Sequence, residues 1–154
     1  MQTRVQVGIA SSPAYPAMRG VEKYLMECSI EKPLRELVKF RVSQINGCAF
    51  CLDLHWKDAV ADGETAQRLY SLSAWRECPY YSDRERAALL LAEELTRIAD
   101  RPVPEEVHQE VSKHFNDQEM HDLIWTIAVI NAWNRLCIGL GTVPGSYQPP
   151  KFDS

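Results

Sequence analysis

Residues 32–59, KPLRELVKFRVSQINGCAFCLDLHWKDA, decide the fold. Pro33 stands where a proline is tolerated in a first helical turn, and the apolar side chains that follow it recur at helical spacing. The Asn-Gly pair at 46–47 ends this helix, and a second apolar helix is expected to begin near Cys48. Two helices joined by so short a turn predict an antiparallel helical hairpin. The apolar stripe of the first helix consists of Leu34, Leu37, Val38 and Val42.

The rest of the chain also follows a helical period. Ser82 with Glu85, and Asn116 with Glu119, have the spacing of capping boxes, in which side chains satisfy free N–H groups at a helix start. Pro104 is placed to open a further helix. The helices predicted from these signals span about 19–28, 33–45, 48–61, 64–72, 82–99, 104–115 and 116–138, with a loop at 73–81. The sequence therefore predicts an all-α protein of about six to seven helices.

The chain is expected to form one domain, because no internal repeat or long linker divides it. Val5, Val7 and Ile9 alternate with polar or small residues, which is a weak strand signal, but no second strand is available to pair with them. We therefore expect an extended N-terminal arm at 1–16, a helical domain at 17–140 and a C-terminal tail at 141–154.

The composition is that of an ordinary globular protein. Of 154 residues, 45% are hydrophobic and 25% are charged, and the formal net charge is -4. This balance offers no basic patch to nucleic acid or to an anionic membrane, so neither is an expected partner. The N-terminus lacks the features of a secretory signal, so we expect the protein in the cytoplasm.

The most apolar stretch, residues 123–140, is expected to be a buried helix. Asn131, Asn134 and Arg135 interrupt it, so it falls short of the continuous apolar run that a membrane span requires. Trp125 and Trp133 lie eight residues apart and share a face of this helix. Core packing or an oligomer interface accounts for both tryptophans.

The five cysteines do not match a secreted disulfide framework, because their number is odd and their spacing irregular. Cys28, Cys78 and Cys137 are expected to be small buried hydrophobic side chains. Cys48 and Cys51 are different, because they stand together at the predicted start of a helix. There the free N–H groups and the positive end of the helix stabilise a thiolate and lower a thiol pKa from its usual value of about 8.5.

His55 and Glu36 are candidate partners of this pair. His55 follows Cys51 by four residues, so the two side chains share a helix face and can exchange a proton. Glu36 lies about ten residues before the hairpin turn and His55 about eight after it, so a carboxylate at Glu36 can orient the His55 ring. The spacing equally permits Glu36 to be solvated or paired with Lys39 or Lys32.

A zinc site is the alternative use of these residues. Zinc needs four ligands, and Cys48, Cys51 and His55 supply three, while His114 and His121 lack the usual paired spacing. The pattern therefore favours a redox dithiol, and no bound metal or cofactor is predicted.

Three runs of the sequence carry a family resemblance: residues 32–59, SAWRECPYYSDRERAALLLAEELTRI at 73–98, and DLIWTIAVINAWNRL at 122–136. They resemble the AhpD-like alkylhydroperoxidase branch of the carboxymuconolactone decarboxylase family, and the likeness covers about residues 15–140. Members of this family are all-α proteins that assemble into trimers or hexamers. The resemblance therefore implies a homo-oligomer.

The resemblance also implies a mechanism. Glu36, Cys48, Cys51 and His55 match the motif of the redox-active members, in which a glutamate, a Cys-x-x-Cys and a histidine stand at this spacing. By resemblance, Cys51 attacks a peroxide and becomes a sulfenic acid, Cys48 resolves it as a disulfide, and Glu36 and His55 relay the proton. A dithiol donor, such as a dihydrolipoamide-bearing or thioredoxin-like protein, then restores the reduced enzyme.

Phe50 departs from the family pattern, since the best studied type has a second histidine immediately before its second cysteine. The departure implies a shorter proton relay. The cysteine pair argues against lactone decarboxylation, because the decarboxylase branch works without it. The predicted function is a thiol-dependent peroxidase that reduces hydrogen peroxide or organic hydroperoxides. The alternative is a non-enzymatic redox sensor or oligomeric scaffold that uses the same dithiol.

Overall fold

A computed structural model of the protein describes residues 4–5 and 8–150. These residues form seven α-helices and two short 3-10 segments, and none of them forms a β-strand. The helices α1 to α7 span Tyr15–Met26, Lys32–Asn46, Ala49–Ala61, Ala66–Ser71, Asp83–Thr96, Glu105–Val111 and Asp117–Leu140. The predicted all-α fold is confirmed.

Helix α2 is the centre of the bundle. It packs against α3, α5 and α7, and its predicted apolar stripe supplies Leu34, Val38 and Val42 to the main core. Leu37 belongs to a second core beneath α3 and α4, which includes Trp75. Because neighbours cover α2 on several sides, four of its five charged side chains are buried as well, and they need partners inside the bundle.

The hairpin of α2 and α3 forms as predicted. Gly47 ends α2 in the left-handed conformation, with φ of 68°, which a residue without Cβ adopts at low cost. The Cys48 N–H donates to the Ser43 carbonyl at 3.1 Å. Asn46 Nδ2 then donates to the side-chain oxygens of Asn131 and Asn134, each at 2.9 Å, which fixes the turn against α7.

Both predicted capping boxes are present, at Ser82 with Glu85 and at Asn116 with Glu119. The predicted loop at 73–81 is partly wrong, because Leu72–Glu77 forms a 3-10 segment. The reason is tertiary: Trp75 is buried and its Nε1 donates to Glu93 at 2.9 Å.

The N-terminal part is less extended than predicted. A 3-10 turn forms at Ile9–Ser11, and α1 begins at Tyr15, before the predicted domain boundary. Pro16 occupies a first-turn position of α1, where its missing N–H costs nothing. Val5 is exposed, and Val7 of the suggested strand lies outside the described residues.

Helix α7 is the one described helix that is long and apolar enough to cross a membrane, with a mean hydropathy of 1.4. By length and composition α7 therefore reaches the range of a membrane span, although its polar interruptions predicted that it falls short. Its polar side chains are bonded inside the bundle, since Ser29 Oγ donates to Asp122 at 2.7 Å and Asn134 Nδ2 donates to Ser43 Oγ at 3.0 Å. Such bonding is typical of the central helix of a soluble helical domain.

The two tryptophans of α7 have different environments. Trp133 packs against the core and its Nε1 donates to Glu22 at 2.9 Å. Trp125 is 43% exposed, so the expectation of core packing is wrong for this residue. Ile124 and Leu136 are exposed on the same helix.

Candidate active site

The cysteine pair sits at the start of α3. Cys48 is the N-cap residue, and its sulfur accepts a hydrogen bond from the Cys51 backbone N–H at 3.4 Å. Both side chains are buried, and they are joined as a disulfide with Cα atoms 5.3 Å apart. In the reduced state the free N–H groups of this first turn favour a thiolate.

Glu36 and His55 meet across the hairpin. The Nδ1 atom of His55 lies 2.8 Å from Glu36 Oε2, and both residues are almost fully buried. Lys39 is a second neighbour of Glu36 at 4.0 Å, although its nearer partner is Glu22 at 3.0 Å. Lys32 instead pairs with Asp62 at 2.7 Å. Of the predicted alternatives for Glu36, contact with His55 is the closest.

Glu36 is held as a carboxylate. Burial alone would raise its pKa, but the hydrogen bond and charge of His55, with the charges of Lys39 and Arg35, outweigh burial and lower the pKa. An ionised carboxylate only accepts hydrogen bonds, so Nδ1 of His55 is the donor. In the neutral ring, Nε2 then carries no proton, so it is the nitrogen that can take one and later give it up. Cys51 and His55 are both buried residues of α3, one turn apart.

Asp58 is a member of the site that sequence reasoning missed. Its carboxylate and the polar atoms of Glu36 and His55 all lie within 4.8 Å of one another. Burial raises the pKa of Asp58, and the Tyr147 hydroxyl donates to its Oδ1 at 2.6 Å. The spacing from His55 places Asp58 near the same face of α3. That spacing is the only signal in the sequence that points to it.

The C-terminal tail covers this side of α3. Lys57 Nζ donates to the carbonyl oxygens of Gly145 at 3.2 Å and Tyr147 at 3.0 Å, and the Gly145 N–H donates to Asp53 at 3.1 Å. The same lysine pairs with Asp53 at 2.8 Å. These bonds hold Tyr147 in place over Asp58.

The surroundings of Cys137 differ from the prediction of a small buried hydrophobic side chain. Cys137 is buried, as predicted, but its sulfur lies beside the reactive pair rather than in a purely apolar setting: the Sγ atoms of Cys48, Cys51 and Cys137 are within 4.8 Å of one another. No spacing rule joins a residue in the last turn of α7 to the start of α3, so the sequence holds no signal for this contact. Cys28 and Cys78 are only partly buried.

A cavity of about 160 Å³ opens beside Glu36, between the start of α2 and the end of α3. The cavity contacts Glu36 but neither cysteine, so it lies on the carboxylate side of the Glu36–His55 pair. Its lining residues are Pro33, Glu36, Leu37, Ala59, Asp62, Gly63 and Glu64.

Comparison with known proteins defines the class of this helical protein. Residues 13–94 match the model of the carboxymuconolactone decarboxylase family. The uncharacterized protein YdfG of Bacillus subtilis (strain 168) is 45% identical over 92% of this chain and 96% of its own length. The chain therefore belongs to the carboxymuconolactone decarboxylase family, and its fold is AhpD-like.

Two crystal structures extend the comparison. ATU0492 from Agrobacterium tumefaciens, a protein of unknown function described as a candidate antioxidant defence protein AhpD, is 35% identical with a TM-score of 0.89, over 95% of this chain and 100% of its own. The debrominase Bmp8 is 18% identical with a TM-score of 0.75, over 86% of this chain and 71% of its own. The second likeness shows the fold alone.

Proposed function

We propose that the protein is a thiol-dependent peroxidase that reduces hydrogen peroxide or organic hydroperoxides through a Cys48–Cys51 disulfide cycle. One observation carries the proposal: a cysteine pair at a helix start lies one turn from a histidine whose Nδ1 is bonded to a buried carboxylate at 2.8 Å. This arrangement supplies an activated thiol, a resolving thiol and a proton carrier. The fold does not select the reaction, because a debrominase shares it.

Cys51 is the attacking thiol in this proposal. Its thiolate attacks one peroxide oxygen, the O–O bond breaks, and Cys51 becomes a sulfenic acid while the other oxygen leaves as water or an alcohol. His55 takes the proton of the Cys51 thiol at Nε2 when the thiolate forms, and it gives this proton to the leaving oxygen. The Cys48 thiol then attacks the sulfenic sulfur, so that the disulfide forms and water leaves. An external dithiol reduces the disulfide and is itself oxidised.

Glu36 and the cavity beside it restore the protonation state of His55 after each cycle. The carboxylate fixes the His55 tautomer, and the cavity beside Glu36 gives this end of the pair a route to solvent protons. Phe50 packs against the cysteine cluster, where the best studied relatives carry a histidine. His55 is therefore assigned all of the proton transfer at the sulfur.

The expected partners follow from this chemistry. The donor is a dithiol such as a dihydrolipoamide-bearing or thioredoxin-like protein, and the cytoplasm is the expected location because thiols are kept reduced there. A homo-oligomer, either a trimer or a hexamer, is the expected assembly. No resident metal or cofactor takes part in the cycle.

Turnover tests the proposal. The reduced protein is mixed with excess hydrogen peroxide or an alkyl hydroperoxide, with dihydrolipoamide as donor, and peroxide loss is followed. We expect many peroxide molecules to be consumed per chain, none above background with Cys51→Ser, and no change with Cys28→Ser. Consumption of one equivalent and no more, with every dithiol donor tried, would instead identify a redox sensor.

A further inference from the structure

Cys137 has no part in the proposed peroxidase cycle, yet its sulfur lies within 4.8 Å of both sulfurs that do. The three sulfurs come from two elements that meet end to end: Cys48 and Cys51 from the start of α3, and Cys137 from the last turn of α7. All three side chains are at most 5% exposed. The apolar side chains of Ile9, Phe50 and Ile138 pack against them, and the Thr142 side chain is hydrogen-bonded to Cys137.

The backbone holds this three-thiol cluster of Cys48, Cys51 and Cys137 in place. The turn before Cys48 is tied to α7 through Asn46, which donates to Asn131 and Asn134 at 2.9 Å each. The Cys137 carbonyl accepts the Thr142 N–H at 2.9 Å, which closes the end of α7. The cluster is therefore preorganised, and a ligand has little ordering of the chain to supply.

Charge decides which ligand suits this cluster. Sulfur ligands select soft ions such as Cu(I) and zinc. Zinc takes four ligands, and no further ligand atom of His, Cys, Asp or Glu joins these three within the described part of the chain. Three thiolates around Cu(I) would leave a net charge of -2 among apolar side chains, which is costly to bury.

Cys137 itself resists ionisation. Burial raises the pKa of its thiol, and the last turn of a helix disfavours negative charge. A ligand that reacts with neutral thiols and leaves a neutral product avoids this cost. A trivalent hydroxide of a soft element has that property, since it loses its hydroxyl groups as water.

We propose that the reduced three-thiol cluster is a binding site for trivalent thiophilic hydroxides, the class to which arsenite and antimonite belong. Arsenous acid, As(OH)3, reacts with the three S–H groups to form three As–S bonds and three water molecules. Arsenic stays trivalent and no thiol is oxidised, so no electron acceptor is needed. The product carries no net charge in the apolar cluster.

The site is gated by the redox state of the pair. A Cys48–Cys51 disulfide removes two of the three ligands, so the oxidised protein has no such site. Conversely, a bound arsenic atom occupies both cysteines and stops any disulfide cycle. Binding itself requires no peroxidase activity, so the proposal stands or falls separately from the proposed function.

Arsenite binding to the reduced full-length protein, without peroxide, tests the proposal. Native mass spectrometry separates a three-thiol adduct, which gains arsenic and loses three hydrogens, from a two-thiol adduct that keeps one hydroxyl. We expect the three-thiol adduct for the unchanged protein and for the control Cys28→Ser. We expect Cys137→Ala to give the two-thiol adduct, with a dissociation constant raised on the order of 100-fold.

The coordination number provides a second measurement that needs no variant. Arsenic X-ray absorption of the unchanged protein is expected to report three sulfur neighbours. Alkylation of the arsenic-bound protein is expected to label Cys28 and Cys78, because bound arsenic protects the three cysteines of the cluster. Two sulfurs and one oxygen around arsenic would overturn the proposal. So would an unchanged dissociation constant in a folded Cys137→Ala variant, or equal binding by the disulfide form.

Discussion

His55 Nδ1 lies 2.8 Å from Glu36 Oε2, on the neighbouring arm of the α2–α3 hairpin. This bond occupies Nδ1 and leaves Nε2 as the ring nitrogen available for proton exchange, and Cys51 lies one helical turn before His55 on α3. The proposed function therefore assigns proton delivery to His55 and orientation of its ring to Glu36.

Replacing His55 separates proton delivery from thiol activation. Lowering a thiol pKa from about 8.5 to about 6.5 raises the thiolate fraction at pH 7 roughly 25-fold. The less basic thiolate is also less nucleophilic, which lowers the rate per thiolate by a factor of roughly 6 to 10. Thiol activation is thus worth only a few-fold, while general acid catalysis is worth on the order of 100-fold. We expect His55→Ala to slow peroxide reduction by on the order of 100-fold and to change the Cys51 pKa little. Stopped-flow rates and thiolate absorbance measure the two effects, and equal rates for variant and unchanged protein would contradict the account.

Asp122 is expected to set the acid limit of stability. Burial raises its pKa, but hydrogen bonds from Tyr24 and Ser29 outweigh burial and bring the pKa down to about 2. A carboxyl with a lowered pKa in the folded state stabilises the protein above its unfolded-state pKa, and that stability is lost as the pH falls through about 4 towards 2. Asp122→Asn is expected to cost on the order of 2 kcal/mol of unfolding free energy at pH 7. It is also expected to weaken the pH dependence of the unfolding free energy between about pH 4 and pH 2, which is called here the acid limb.

Urea unfolding between pH 2 and pH 7 measures this effect. Asp100→Asn is the control, because Asp100 is exposed. An acid limb that is equally steep in both variants would show that Asp122 is not its source.

Glu93 is expected to be the most sensitive ionic site of the core. It is 3% exposed and accepts hydrogen bonds from Arg41 Nε at 2.8 Å, Trp75 Nε1 at 2.9 Å and Arg76 Nη1 at 2.6 Å. Removing its charge leaves the buried Arg41 uncompensated, so Glu93→Gln is expected to cost about 3 kcal/mol of unfolding free energy. Glu110→Gln removes one partner of an exposed pair with Lys113, which solvent screens, and is expected to change the unfolding free energy far less than Glu93→Gln. Similar losses in the two variants, measured by chemical unfolding, would refute this ranking.

The solvent side of α7 is expected to lie in the oligomer interface. Trp125, Leu136 and Ile124 are 43%, 40% and 36% exposed on one helix, and large exposed apolar side chains are often covered in an association surface. We expect Trp125→Glu to lower the molar mass measured by light scattering. Tyr70→Glu, at a residue 72% exposed on α4, is the control, and an unchanged mass for Trp125→Glu would place the interface elsewhere.

Local signals made much of the fold predictable. The capping residues of α5 and α7 and the glycine after α2 act within a few residues of sequence, so they could be recognised without the tertiary structure. Counting residues on both sides of a tight turn permitted the contact between Glu36 and His55 but equally permitted solvation or a lysine partner for Glu36, and the family resemblance favoured the contact with His55. Helix α1 begins at Tyr15, before its predicted start at Arg19. The 3-10 segment Leu72–Glu77 was predicted as loop, because Trp75 owes its conformation to burial and to its hydrogen bond with Glu93.

The missed site residues depend on distant parts of the chain. Cys137 reaches the cysteine pair because the end of α7 meets the start of α3, and Tyr147 reaches Asp58 because the tail folds back over α3. No periodic pattern in the sequence predicts either contact. The buried position of Cys137 was predicted, but its neighbours were not.

Cys48 and Cys51 have unequal roles in the proposed cycle, since Cys51 attacks the peroxide and Cys48 resolves the sulfenic acid. Single-turnover peroxide consumption by the two reduced serine variants, with dimedone trapping of sulfenic acid, measures these roles separately. We expect Cys48→Ser to consume one equivalent of peroxide at close to the rate of the unchanged protein, with oxidation at Cys51, and Cys51→Ser to react no faster than a free thiol. Rapid consumption by Cys51→Ser, with oxidation at Cys48, would contradict the account.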